Sequence, residues 1–158
     1  MNQVEVCLTP DLIKQYTLEG KIVVVVDIFR ATSCMVTGLA YGVKSIVPVA
    51  TVDDCFEMGK KGLITAGERG GKKIDGFEIG NSPFDYMQEK FKGQTIAVTT
   101  TNGTKALLAS LQAEEILIGA FLNLRAIANY ISSSTKDVVI HCAGWKGTVN
   151  TEDTLFAG

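Results

Sequence analysis

Charged and hydroxyl side chains stand directly after several hydrophobic runs. Asp27 and Arg30 follow Ile22–Val26, Glu68 and Arg69 follow Leu63–Ala66, and Thr99-Thr100-Thr101-Asn102-Gly103-Thr104 follows Ile96–Val98. Lys146, Glu152 and Asp153 come after Val138–Cys142. The chemistry these groups suit is anionic. Arg30, Arg69 and Lys146 can neutralise phosphate, carboxylate or sulfonate oxygens, and an arginine can bind two at once. Backbone N–H groups at helix starts after Ser33 and Asn102-Gly103 would make a phosphate cradle, joined by the hydroxyls of Thr32, Ser33, Thr100 and Thr101. Asp27, Glu68, Glu152 and Asp153 are the carboxylates able to hold a metal ion or to act as base or nucleophile. His141 is the sole imidazole, so a histidine-rich metal site is excluded, and a metal, if present, would be held by carboxylates and water, which favours Mg²⁺ over Zn²⁺.

Each of these groups also has a plainer role. Asp27 could cap a helix starting near Ala31, with Arg30 as its ion-pair partner. The Thr-Thr-Thr-Asn-Gly-Thr run could be turn and cap chemistry, and Glu152-Asp153 suits the first turn of any helix. On that reading Arg69→Ala and Asn102→Ala would leave ligand binding untouched. Convergence argues otherwise, because several polar termini would fall on one rim. Familiar signatures fail. Ala66-Gly67-Glu68-Arg69-Gly70-Gly71-Lys72-Lys73 is not a Walker A loop, no G-x-G-x-x-G is present, and Phe29 stands where an aspartyl-phosphate signature needs its second acid. A triad through His141 would have to operate inside a buried strand beside Cys142.

The rim is set by the elements beneath it. Hydrophobic runs predict strands at Val4–Leu8, Ile22–Ile28, Ser45–Ala50, Leu63–Ala66, Thr95–Thr100, Glu115–Gly119 and Asp137–Cys142. Several are apolar at consecutive positions, as strands covered on both faces are. Helical stripes lie between them: Ala31, Cys34, Met35, Gly38 and Leu39; Val52, Cys55, Phe56 and Gly59; Leu124, Ile127, Ala128 and Ile131. Thr51, Asn123 and Ser82-Pro83 supply start signals. Strand and helix in alternation predict an α/β fold with a mainly parallel sheet flanked by helices. Ligands of such sheets bind beyond the strands' carboxyl ends. The stretch from Glu68 to Asn81 reads as one long glycine-rich loop of the functional or mobile kind.

Composition sets the outer bounds. The 158 residues suit one α/β domain, 1–158, able to bury roughly 70% of its extended surface. Fifteen basic and seventeen acidic residues leave a formal charge of −2, which argues against nucleic acid or an anionic membrane as partner. The longest strictly apolar run, Ile22–Val26, is far short of a bilayer span of about 20 residues. The start lacks a signal peptide's features, and Cys7, Cys34, Cys55 and Cys142 lack the spacing of a redox pair or zinc ribbon. They read as buried free thiols of a cytoplasmic protein.

The segments VVVDIFRATS, PVATVDD, AGERGGKKIDGFEIGNSP, TTTNGT, CAGWKG and TEDTLFAG, in this order, resemble the 2-phosphosulfolactate phosphatase family, named for coenzyme M biosynthesis. The resemblance runs over nearly the whole chain from Asp27 onward. It implies an α/β fold of the family's own type and Mg²⁺-dependent hydrolysis of (2R)-phospho-3-sulfolactate to 3-sulfolactate and phosphate. Within these blocks Asp27, Arg30 and Arg69 are the expected catalytic residues. Thr32, Ser33, Gly70, Asn81, Ser82, Thr100, Thr101, Asn102, Gly103 and Lys146 are the expected substrate contacts, and Asp27, Glu68, Glu152 and Asp153 the expected metal ligands. Family members continue past Phe156-Ala157-Gly158, so the chain reads as the amino-terminal part of a longer phosphatase. A small anionic phosphate ester is the expected partner, and a homo-oligomer is compatible with the sequence. The competing functions are a phosphatase for other 2-hydroxy-acid or sugar phosphates and an inactive anion-binding fragment.

Overall fold

The computed structural model describes residues 2–158. Eight strands form: β1 (Val4–Cys7), β2 (Ile22–Val26), β3 (Ser45–Pro48), β4 (Ile64–Arg69), β5 (Lys72–Lys73), β6 (Thr95–Thr99), β7 (Glu115–Gly119) and β8 (Val138–Cys142). The helices are α1 (Ala31–Ala40), α2 (Val52–Lys60), α3 (Pro83–Tyr86), α4 (Gly103–Ala109), α5 (Leu124–Ser133) and α6 (Thr151–Ala157). The α/β alternation and mainly parallel pairing agree with the sequence reading. The strands divide, however, into two sheets. The first has the order β1-β8-β2-β7 and is parallel throughout. In the second, β3, β6 and β4 are parallel, and β5 is added antiparallel to β4.

Alternation along the strands explains the layering. On β2, Val23 and Val25 point into a core shared with Ile96 and Val98 of β6, Cys34 and Met35 of α1, and Ala106 and Leu107 of α4. Ile22, Val24 and Val26 point the other way, against Ile127 and Ile131 of α5 and Phe156 of α6. Ala97 of β6 likewise faces outward, to Cys55 of α2 and Phe77. Successive strand side chains alternate between faces, so an unbroken valine run is what a strand buried on both sides requires. All five residues of β2 are buried. The inner core thus lies between the two sheets, with α1 and α4 contributing to it.

Local signals placed some helix starts better than others. Thr51 caps α2 in a capping box with Asp54. Ser82 precedes Pro83 of α3, but its side chain makes no cap hydrogen bond. Asn123 precedes α5, yet its Oδ1 accepts from Ala120 N–H at 2.9 Å and its Nδ2 donates to the Ile118 carbonyl, so it closes the turn after β7 instead. Leu39 of α1 and Leu124 and Ala128 of α5 are exposed although the stripes include them. The supposed loop from Glu68 begins as the last two residues of β4, turns at Gly70-Gly71 and returns as β5. No helix among the described residues is long and apolar enough to cross a membrane. All four cysteines are free and buried.

Candidate active site

The carboxyl ends of β2, β4, β6 and β8 come together where the two sheets meet. Asp27, Phe29, Arg30, Glu68, Gly71, Asn81, Asn102 and Trp145 line a pocket of about 50 Å³ there. Asp27 is 9% exposed and Glu68 5%. Phe29 and Trp145, 69% and 48% exposed, stand at its mouth.

The local chain makes Asp27 an anchored acid. Its Oδ1 accepts from Ala31 N–H at 3.2 Å, its carbonyl accepts from Thr32 N–H at 3.0 Å, and its own N–H donates to Thr32 Oγ1 at 3.1 Å. Across the junction, Gly103 packs against the same carboxylate. A Cβ at Gly103 would sit 2.7 Å from Asp27 Oδ2 and 2.6 Å from the Ala31 Cβ, so only glycine lets α4 start this close. Burial pushes the Asp27 carboxyl up to about 7, and the charges of Asp153 and Glu68 push the same way, against the Ala31 and Gly103 N–H groups. Among the described residues, no ion pair reaches either Asp27 or Glu68.

Glu68 ties two loops together. Its Oε1 accepts from Thr101 N–H and its Oε2 from Gly71 N–H, each at 2.6 Å. Gly70 N–H donates to Thr101 Oγ1 at 3.2 Å. Asn102 Oδ1 accepts from Lys146 N–H at 2.9 Å, which brings the Gly144–Gly147 turn over the pocket. Lys146 is exposed, and its Nζ lies 5.4 Å from the Trp145 ring centroid. Arg30 is also exposed and carries no ion pair among the described residues.

Several expected roles are redrawn by these contacts. At the starts of α1 and α4, where N–H groups were expected to cradle phosphate, those of Ala31 and Gly103 meet the Asp27 carboxylate, that of Thr32 the Asp27 carbonyl and that of Thr104 the Thr100 hydroxyl. Thr32 is fully buried and holds Asp27. Ser33 Oγ donates to the Ile28 carbonyl at 2.8 Å. Thr100 Oγ1 accepts from Thr104 N–H at 3.0 Å and so caps α4, whereas Asn102, directly before the helix, makes no side-chain cap hydrogen bond. Arg69 does not line the pocket; Nη1 donates to the Glu68 carbonyl at 2.7 Å and Nη2 to Thr99 Oγ1 at 2.8 Å. It braces Glu68 from behind. Ser82 also lies outside the lining.

Asp153 does not line the pocket and is committed to other partners. It is 1% exposed; Oδ1 accepts from Ile28 N–H at 3.0 Å, while Oδ2 accepts from Gly144 N–H at 3.2 Å and Asn150 Nδ2 at 3.0 Å. It clamps the ends of β2 and β8. Burial raises its pKa, and these hydrogen bonds oppose that rise. Glu152 lies on α6 outside the lining. Among the described residues, no three His, Cys, Asp or Glu side chains are grouped to hold a metal ion. The four-carboxylate set therefore reduces to Asp27 and Glu68. That pair still fits Mg²⁺, which takes one or two carboxylates and fills its remaining positions with water and substrate phosphate. A further hard oxygen, Asn81 Oδ1, is buried beside them with no hydrogen-bond partner. Phe29, Gly71 and Trp145 were missing from the expected site residues. Their positions, directly after β2 and β8 and in the β4–β5 turn, were the available signal.

The structure is an α/β protein with an acidic pocket at its strands' carboxyl ends, where Arg30 is the one cationic side chain in the lining among the described residues and has no ion-pair partner. The 2-phosphosulpholactate phosphatase family profile matches residues 7–158, and the chain belongs to that family. A relative from Caldanaerobacter subterraneus subsp. tengcongensis is 46% identical over 154 residues, covering 95% of this chain and 64% of the relative. One from Thermotoga maritima is 43% identical over 141 residues, covering 89% and 61%. One from Clostridium tetani is 40% identical over 158 residues, covering 98% and 68%. All three carry the name "Probable 2-phosphosulfolactate phosphatase". The chain spans less than two thirds of the length of the first two.

Proposed function

We propose that this pocket hydrolyses the phosphate ester of (2R)-phospho-3-sulfolactate, giving 3-sulfolactate and phosphate, with Mg²⁺ as cofactor, in the cytoplasm and within coenzyme M biosynthesis. The observation that carries the reading is a pair of buried carboxylates, Asp27 and Glu68, sharing one pocket without a cationic partner among the described residues. Two such groups repel a phosphate ester unless a cation intervenes. Asp27 and Glu68 would hold Mg²⁺, and the ion would supply positive charge to offset the negative charge that develops on the phosphate.

The protein's own groups do the rest. Glu68 is fixed by two 2.6 Å hydrogen bonds, and Asp27 by the backbone at the start of α1, so neither needs to reorganise as charge develops. Arg30 lines the pocket, Lys146 follows Trp145 of the lining and donates its N–H to Asn102 Oδ1, and neither has a carboxylate partner among the described residues. They are the groups to take the carboxylate and sulfonate, which lie apart on the substrate. Phe29 and Trp145 shield the opening from water.

The test is phosphate release from racemic phosphosulfolactate with and without Mg²⁺, beside a panel of lactate, glycerate and sugar phosphates. It is run on this chain and on a version carrying the relatives' additional residues. Mg²⁺-dependent release that favours the sulfonate-bearing ester supports the reading. Equal or faster release from a sulfonate-free ester would transfer the pocket to another 2-hydroxy-acid or sugar phosphate. Anion binding without turnover in both versions would leave a binding module.

A further inference from the structure

Three buried side-chain atoms among the described residues have no hydrogen-bond partner: Asn81 Oδ1, Tyr86 Oη and His141 Nε2. Only Asn81 borders the pocket of Asp27 and Glu68. A carbonyl oxygen can only accept, so whatever satisfies it must be a donor or a cation. The proposed substrate offers neither. Its phosphate, carboxylate and sulfonate are all acceptors once ionised, and the phosphate's second proton leaves near pH 6. An unpaired buried acceptor on a residue that lines a pocket for an all-acceptor substrate suits a cation better than a direct contact to that substrate, the role expected of Asn81 from the sequence.

We infer that Asn81 is a neutral oxygen ligand to the divalent cation, completing a protein donor set of two carboxylates and one amide carbonyl. Oxygen donors of this kind suit Mg²⁺ or Mn²⁺. The backbone around Asn81 is prepared for such a task. Ile79 forms a parallel bridge with Ala66 of β4, and Gly80 N–H donates to Asp85 Oδ2 at 3.1 Å. The amide is therefore presented from a segment fastened to the sheet on one side and to α3 on the other. The inference rests on the reading that the pocket holds a divalent cation, and it assigns the third ligand.

The experiment uses Mn²⁺ alone, without substrate. Free Mn²⁺ is followed by electron paramagnetic resonance, and Trp145, the only tryptophan, gives a fluorescence signal at the pocket. Asn81→Ala should weaken Mn²⁺ binding at least about tenfold, with the metal-free melting temperature little changed. Asn81→Asp, which keeps an oxygen in place, should bind Mn²⁺ as tightly as wild type or tighter. If the alanine variant folds poorly, the aspartate variant carries the test, and weaker binding by it overturns the assignment. Unchanged affinity in Asn81→Ala, or no Mn²⁺ binding by wild type, also overturns it. Phosphate release is scored separately. Metal binding that depends on Asn81 without phosphosulfolactate turnover would sink the function and keep the ligand; the reverse pattern would sink the ligand alone.

Discussion

Asp27 and His141 both lie in the interior, but burial moves them in opposite directions. The Asp27 carboxyl is pushed up by loss of water and by two neighbouring acids. His141 is fully buried, its Nδ1 2.8 Å from Ser110 Oγ, and burial lowers its pKa from 6.5 to about 4. Because Ser110 Oγ also donates to the Ala106 carbonyl at 2.8 Å, the consistent tautomer has Nδ1–H donating to Ser110. His141 is thus a neutral core residue, as its strand position suggested, and takes no part in a triad. The unfolded chain binds a proton near pH 6.5 that the native state refuses until about pH 4. The contribution of His141 to stability is therefore complete above pH 6.5 and is lost as pH drops from 6.5 towards 4, by roughly 3 kcal/mol in total, while Asp27, raised from 3.8 to about 7, titrates in the opposite sense over the same range. In Asp27→Asn, which removes that opposing titration, urea midpoints between pH 4 and 7.5 should follow the His141 slope, and they should lose most of it when His141→Leu is added. An unchanged slope in that variant would assign the acid sensitivity to other groups. Glu68→Gln should cut turnover at least about tenfold, since it removes a candidate ligand and weakens two short hydrogen bonds; equal turnover in a folded variant would make Glu68 a loop brace only.

At the scale of the elements, hydrophobic runs located the strands well because both faces of β2, β6 and β8 are covered, so sequence position and burial coincide. They could not reveal which strands pair. Periodicity describes the faces of a strand and is silent on its neighbours, so the division into two sheets was illegible. The two-residue β5 was too short to register. The rim was found for a physical reason, the placement of ligands beyond parallel strand ends, but individual roles there depend on distant partners. Asp153 reads as a free acid in the sequence and is saturated by Ile28, Gly144 and Asn150 in the fold. Two substitutions separate scaffold from site. Thr51→Ala removes the cap of α2 and should cost about 1 kcal/mol, with turnover unchanged. Gly103→Ala forces a Cβ against Asp27 and Ala31. It should cost about 1–3 kcal/mol and depress turnover as well, because the atoms displaced belong to the pocket. Denaturant midpoints measured beside initial rates check both; normal turnover in a destabilised Gly103→Ala would detach α4 from the chemistry.

Across the whole molecule, two sheets share an inner core, and that core holds their carboxyl ends against each other. Asp27 comes from the first sheet, Glu68 from the second, and the Asn102 and Trp145 loops lock over them. Neither sheet contains the pocket alone. The chain matches 64% and 61% of the length of two of its relatives, and the described residues already bring both sides of the pocket together. The proposed function puts Asp27 at the heart of a Mg²⁺-dependent phosphatase site. Its most direct test is phosphate release from phosphosulfolactate by wild type and Asp27→Asn at saturating Mg²⁺, with melting curves recorded on the same samples. A drop of at least about 100-fold, in a variant that melts cooperatively at or above the wild-type temperature, is the predicted result. Turnover near the wild-type rate in a folded Asp27→Asn protein would contradict the account.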